Sequence, residues 1–207
     1  LNFPAKFRDA MGESFVVLEW VDNCLFALPM QEVEKLADGV WSLLSPGGCP
    51  TLCYLVEGTE KAMLIDTGFG VGDTKALCER LTDKPLVVVD THSHGDHILG
   101  NFQFDKVYIH RLDAADAHRM DKDEACDPMR DAPEGCGYTK ADYVPCAPYE
   151  LIPIDEGYVF DLGGGHEVEV IHTSGHRPGG ICLLEKAATV SHNTDGKKSL
   201  TVTGKIN

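Results

Sequence analysis

No stretch of the 207-residue chain is long and apolar enough to cross a bilayer, which takes about 20 consecutive apolar residues. Basic residues are scarce: 18 Lys and Arg stand against 33 Asp and Glu, for a formal net charge of −15. A surface of that sign cannot gather phosphates by counterion release, so nucleic acid is excluded as a partner, and no membrane partner is expected. The opening residues Leu1-Asn2-Phe3-Pro4 lack a basic segment followed by an apolar one, and the chain reads as soluble and cytoplasmic. Internal repeats and low-complexity tracts are also missing, which removes solenoids and disordered linkers from consideration.

The eight cysteines (24, 49, 53, 78, 126, 136, 146 and 182) lack the paired two-residue spacing of a zinc ribbon. They are scattered through apparent elements of a chain large enough to fold without staples, so reduced thiols are expected.

What the chain does have is 43% hydrophobic residues, enough for one sizeable core, and a single domain over residues 1–207 is expected. Apolar or β-branched runs predict strands at Phe15 to Trp20, Gly39 to Leu44, Leu52 to Glu57 and Lys61 to Asp66, the last two joined as a hairpin through Gly58-Thr59-Glu60. Helical spacing of Ala76, Leu77 and Leu81 behind a capping Asp73 predicts a helix, and Leu86 to Val89 reads as a buried strand. A short strand at Val107 to Ile109 and a helix at Leu112 to Met120 follow. Residues 121–150, rich in Pro, Gly, Asp and Cys, read as a long loop or insertion. Strands then dominate, at Glu150 to Ile154, Gly157 to Leu162, His166 to Thr173, Ile181 to Glu185 and Leu200 to Thr203. Strands alternating with helices point to helices packed on a sheet.

Chemistry concentrates at the end of the Leu86 strand, where Thr91-His92-Ser93-His94-Gly95-Asp96-His97 places three imidazoles and a carboxylate within six positions. Residues two apart in extended chain point the same way, so His92 and His94 can reach one metal ion. A turn at Gly95 lets Asp96 and His97 face a neighbouring ion, and neutral imidazole with carboxylate suits zinc, iron or manganese. A second strand end, His172-Thr173-Ser174-Gly175-His176-Arg177-Pro178-Gly179-Gly180, offers two more histidines beside a Gly-rich turn. By itself His176 reads as a loop histidine and His172 as a buried one. His110, His118 and His166 lie outside these motifs, with solvent-facing or hydrogen-bonded roles as their default.

Taken in order, Leu64-Ile65-Asp66-Thr67-Gly68, Thr91 to His97 and His172 to Gly180 resemble the metallo-β-lactamase superfamily, over residues 39 to 204. The resemblance implies an α+β fold, a four-layer α/β/β/α sandwich of two mixed sheets flanked by helices with a metal site at one edge. It implies that His92, His94 and His176 hold one ion, that Asp96 and His97 belong to a second, and that Asp66 supports the histidine loop without being a ligand. One or two zinc ions are the implied cofactor, with iron or manganese as alternatives.

The implied activity is hydrolysis of an ester, thioester, lactone, lactam or phosphoester in a small-molecule substrate by hydroxide generated on the metal, with Asp96 orienting it and moving a proton. A diiron redox role is disfavoured, because relatives of that kind carry a carboxylate where His94 stands. Family members continue with a strand ending in Thr-Gly-Asp and then a last His. Here Lys205 occupies the place of that Asp and the chain ends at Asn207, so the C-terminal portion is expected to be incomplete. His192 and Asp195 read as turn residues, not substitutes. The competing expectation is an inactive metal-binding remnant, and in either case a homodimer or swapped assembly is expected to cover the sheet face left bare.

Overall fold

The computed structural model describes residues 15–20, 24–29, 32–45, 51–120 and 144–185. Two strands, β1 (Phe15–Trp20) and β2 (Cys24–Pro29), form an antiparallel pair. The main sheet has seven strands in sequence order: β3 (Glu32–Ala37), β4 (Val40–Ser45), β5 (Thr51–Glu57), β6 (Ala62–Ile65), β7 (Leu86–Val89), β8 (Lys106–His110) and β9 (Glu150–Ile154). From β3 to β6 the pairings are antiparallel, and from β6 to β9 they are parallel. This mixed character has a local cause. The first four strands follow one another within a few residues of chain, whereas helices α1 (Thr74–Leu81) and α3 (Arg111–Met120) lie in connections that return the chain in the same direction. The short helix α2 (Gly95–Ile98) follows β7.

A second sheet holds β10 (Val159–Asp161), β11 (Glu167–His172) and β12 (Ile181–Glu185), antiparallel throughout. Its inner face carries Phe160, Val168, Val170, Ile181 and Leu183 against Met63, Ile65 and Val89 of the main sheet. The opposite face of the main sheet carries Leu55, Leu64, Val88, Val107 and Ile109, and on these lie Leu77 and Cys78 of α1 with Ala114 and Ala117 of α3. Strand β6 is buried on both faces, its residues alternating between the two cores, which is why Ala62 to Ile65 is apolar without interruption. Fully burying a side chain such as Leu64 contributes about 2 kcal/mol.

The sandwich of two sheets with helices outside is therefore present. Among the described residues it shows three layers, with helices against the main sheet. Asp73 caps α1 as expected, its side chain accepting from the Ala76 N–H. The β5–β6 hairpin also bolts the sheets together, because Glu60 N–H donates to the carbonyl of Leu162 at 2.9 Å. Gly58 is needed there, since a Cβ would stand 2.4 Å from that carbonyl oxygen.

Cys53 and Cys78 are buried free thiols, and the buried Cys182 has its sulfur 3.4 Å from the Thr173 hydroxyl. Cys146 is disulfide-bonded, which corrects the expectation of reduced thiols throughout. None of the helices among the described residues is long and apolar enough to cross a membrane. Residues 121–143 of the expected loop, together with His192, Asp195, the expected Leu200 strand and Lys205, lie outside the described residues.

Candidate metal centre

Every candidate ligand sits just past the end of a strand, where the backbone leaves its ladder. Strand β7 delivers His92 and His94, α2 carries Asp96 and His97, and the loop between β11 and β12 carries His176. The structure brings three of these together: one ring nitrogen from each of His92, His94 and His176 lies within 4.8 Å of the others. His94 Nδ1 is the hub, 3.1 Å from His92 Nε2 and 2.9 Å from His176 Nε2. Donors bound tetrahedrally at zinc's usual distance of about 2.0–2.1 Å would be about 3.3 Å apart, so the spacing suits one small cation.

Protonation suits it as well. Burial pushes the His92 imidazolium down to about 4, helped by the charge of His97. His94 is lowered by burial and then by His176 and Arg177. Both rings are neutral at pH 7, which is the state a metal requires. His92 Nδ1 meets Thr91 Oγ1 at 3.0 Å, leaving Nε2 to face the centre.

Asp96 and His97 sit beside the triad but outside it. His97 Nε2 lies 3.4 Å from Asp96 Oδ2, and its Nδ1 lies 2.7 Å from Asp66 Oδ2. Burial lowers the His97 pKa, but the Asp66 hydrogen bond and the charges of Asp66 and Asp96 outweigh it, and the net shift is upward. Among the described residues the group able to hold an ion is His92, His94 and His176, without Asp96 or His97.

Asp66 touches none of the three converging nitrogens. Its Oδ1 accepts the Thr91 N–H at 2.7 Å, and its Oδ2 accepts the Thr91 hydroxyl at 2.8 Å as well as the His97 ring. It is buried and holds a left-handed backbone with φ of 61°, a conformation Asp tolerates better than most residues. Next to it, Thr67 N–H donates to the His97 carbonyl, and its hydroxyl donates to Asn101, which in turn donates to the buried Asp90.

Two residues absent from the sequence expectations also belong here. Asp113, in the first turn of α3, accepts backbone N–H groups from Ser93 and Gly179, and these bonds hold its carboxyl below the usual range despite burial. Arg177 donates to Ser93 Oγ at 2.9 Å and pairs with Asp116. Neither forms part of a spaced motif, and the sequence signal was slight: an acidic residue in a first helical turn and an Arg directly after a candidate ligand. His110, expected to be solvent-facing or hydrogen-bonded, is buried, accepts the Leu112 N–H on Nδ1 and stacks on His172 with ring centroids 4.3 Å apart.

Residues 46–190 match the metallo-β-lactamase superfamily. The chain belongs to that superfamily. Two relatives named acyl-coenzyme A thioesterase MBLAC2, from Bos taurus and Homo sapiens, are 28% identical over 189 residues and 27% identical over 188. Each alignment takes in 82% of this chain and 67% of the relative. A solved metallo-β-lactamase from Pontibacter korlensis shares the superfamily fold, with a TM-score of 0.52 at 23% identity over 75% of this chain and 66% of that one. The chain thus spans about two thirds of the length of these proteins.

Proposed function

We propose that this chain is a metal-dependent hydrolase of acyl thioesters, with His92, His94 and His176 holding one divalent ion, zinc in the first instance. The observation that carries the reading is the convergence of three ring nitrogens at the edge of the sandwich, with His92 held neutral by burial. The thioester class is favoured by the names of the two MBLAC2 relatives. An ion bound there supplies Lewis-acid polarisation of the carbonyl under attack and acidifies a water molecule.

The chain's own groups do the rest. Asp96, on the first turn of α2 and 3.4 Å from His97 Nε2, is the group proposed to take a proton from the attacking water. A thiol leaving group has a pKa of about 8.5, so it departs as thiolate with little help. Asp96 therefore matters as a base for a thioester, whereas an amine leaving group would also need it as an acid. His97, bound through Nδ1 to Asp66, lies with Nε2 3.4 Å from Asp96 Oδ2 and helps to orient that carboxyl.

The test is elemental analysis of the purified chain together with hydrolysis of acyl-coenzyme A, an oxygen ester, a β-lactam and a phosphodiester by the same sample. One zinc per chain and thioester turnover that is lost on His176→Ala are expected. Metal content near zero after zinc incubation would overturn the reading. One bound zinc without turnover of any substrate would instead favour a chain that binds metal without catalysis.

A further inference from the structure

The three converging histidines arrive on two separate loops, and neither loop's own strand dictates the distance between them. His92 and His94 follow a strand of the main sheet, while His176 lies in a loop of the small sheet. Among the described residues, one backbone bond joins the two regions directly, from Ile181 N–H to the Thr91 carbonyl at 3.0 Å. The Arg177 guanidinium adds a side-chain tie to Ser93 Oγ.

Asp113 makes a further connection, from a third element. Its Oδ2 accepts the N–H of Ser93, the residue between the first two histidines, at 2.9 Å. Its Oδ1 accepts the N–H of Gly179, three residues beyond His176, at 2.7 Å. The carboxyl is fully buried, with Arg177 Nε 3.6 Å from Oδ2 as its counter-charge. Room for it exists because residue 179 is glycine: a Cβ there would lie 2.7 Å from the Asp113 carboxyl carbon.

We propose that Asp113 is a positioning residue, a clip that fixes the spacing of the two histidine loops before any ion arrives and so sets metal affinity and coordination geometry. This rests on the reading of His92, His94 and His176 as ligands. Only a carboxylate fits the task. Asn has a single acceptor oxygen, and its NH₂ would confront one of the two N–H donors. Glu is one methylene too long for the space beside Gly179.

For the full chain, Asp113→Asn is expected to weaken zinc binding by about 10- to 100-fold in competition with a chromophoric chelator, the range found when groups that orient ligands are changed. With cobalt in place of zinc, the visible ligand-field bands of Asp113→Asn are expected to move. Leu151→Ala, a core variant on β9, is expected to lower the unfolding midpoint while leaving those bands in place. Amide hydrogen exchange on the metal-free wild type gives a second test that needs no variant, with Ser93 and Gly179 expected to be protected.

Unchanged affinity and spectrum in Asp113→Asn would overturn the proposal, and so would fast exchange of both amides, which decides alone if the variant does not fold. A wild type that binds no zinc would overturn the ligand reading beneath it. A wild type that binds zinc beside an unaltered variant would overturn this proposal only.

Discussion

Replacing Asp66 by Asn, Ala and Gly in turn separates three things that residue does: it carries charge, it accepts hydrogen bonds, and it tolerates a left-handed backbone. In Asp66→Asn the amide oxygen can accept the Thr91 N–H, while the NH₂ donates to Thr91 Oγ1 and to His97 Nδ1, each of which can reorient its own proton. The loss is then the difference between charged and neutral hydrogen bonds, about 1 kcal/mol for each of three, which sets a ceiling of about 3 kcal/mol. Asp66→Ala strands the buried Thr91 N–H, costing about 1–3 kcal/mol. It also forces a β-carbon without local hydrogen bonding into φ of 61°, which costs about 1–2 kcal/mol more. Asp66→Gly loses the same bonds but relieves the backbone, and should exceed Ala in stability by about 1 kcal/mol. Urea midpoints measured in chelator, so that no metal contributes, would give the order Asp, Asn, Gly, Ala if the slopes agree. An alanine variant as stable as the asparagine variant would refute the bonding argument, and a glycine variant no better than alanine would refute the strain argument.

Burial, then the charge of His172, lowers the pKa of His110, with Arg111 acting in the same direction and Asp155 and Asp113 opposing. A histidine depressed in the folded state contributes stability that is complete above its unfolded pKa of about 6.5 and is lost as pH falls through the folded value. The unfolding midpoint of metal-free protein should therefore fall on acidification below about pH 6.5. Part of that slope should vanish in His110→Phe, and an identical slope in both proteins would count against the assignment. Cys53 and Cys78 are buried, the latter with its thiol pushed up to about 12, so both should resist a thiol reagent until urea unfolds the chain. Labelling of either in native buffer would show that this core opens far below global unfolding.

Strands whose both faces are buried were legible almost to the residue, as at Leu86–Val89, because a short unbroken apolar run admits few other readings. Strand β3 escaped notice for the opposite reason. Glu32–Ala37 lies at the edge of the sheet, with Val33 and Leu36 exposed and charges between them, a pattern natural edges use to discourage further pairing. Strand β2 (Cys24–Pro29), which among the described residues pairs with β1 alone, went unread although its apolar run carries the same signal.

At the site, the density of histidines after β7 announced ligand chemistry, and the resemblance singled out His176, which the structure places beside them. The roles of Asp113 and Arg177 were not legible, because their partners are 20 to 84 residues away in the chain and no spacing rule links them.

The division of the sandwich between two stretches of chain has a consequence for its birth on the ribosome. Met63, Ile65 and Val89 emerge well before Phe160 to Leu183, the residues that cover them. At about 5–20 residues per second, an apolar sheet face waits on the order of 5–20 seconds for its lid. Throughout that interval only two of the three converging histidines exist. The nascent chain therefore needs protection from its neighbours at the stage when no metal ion can help hold it together.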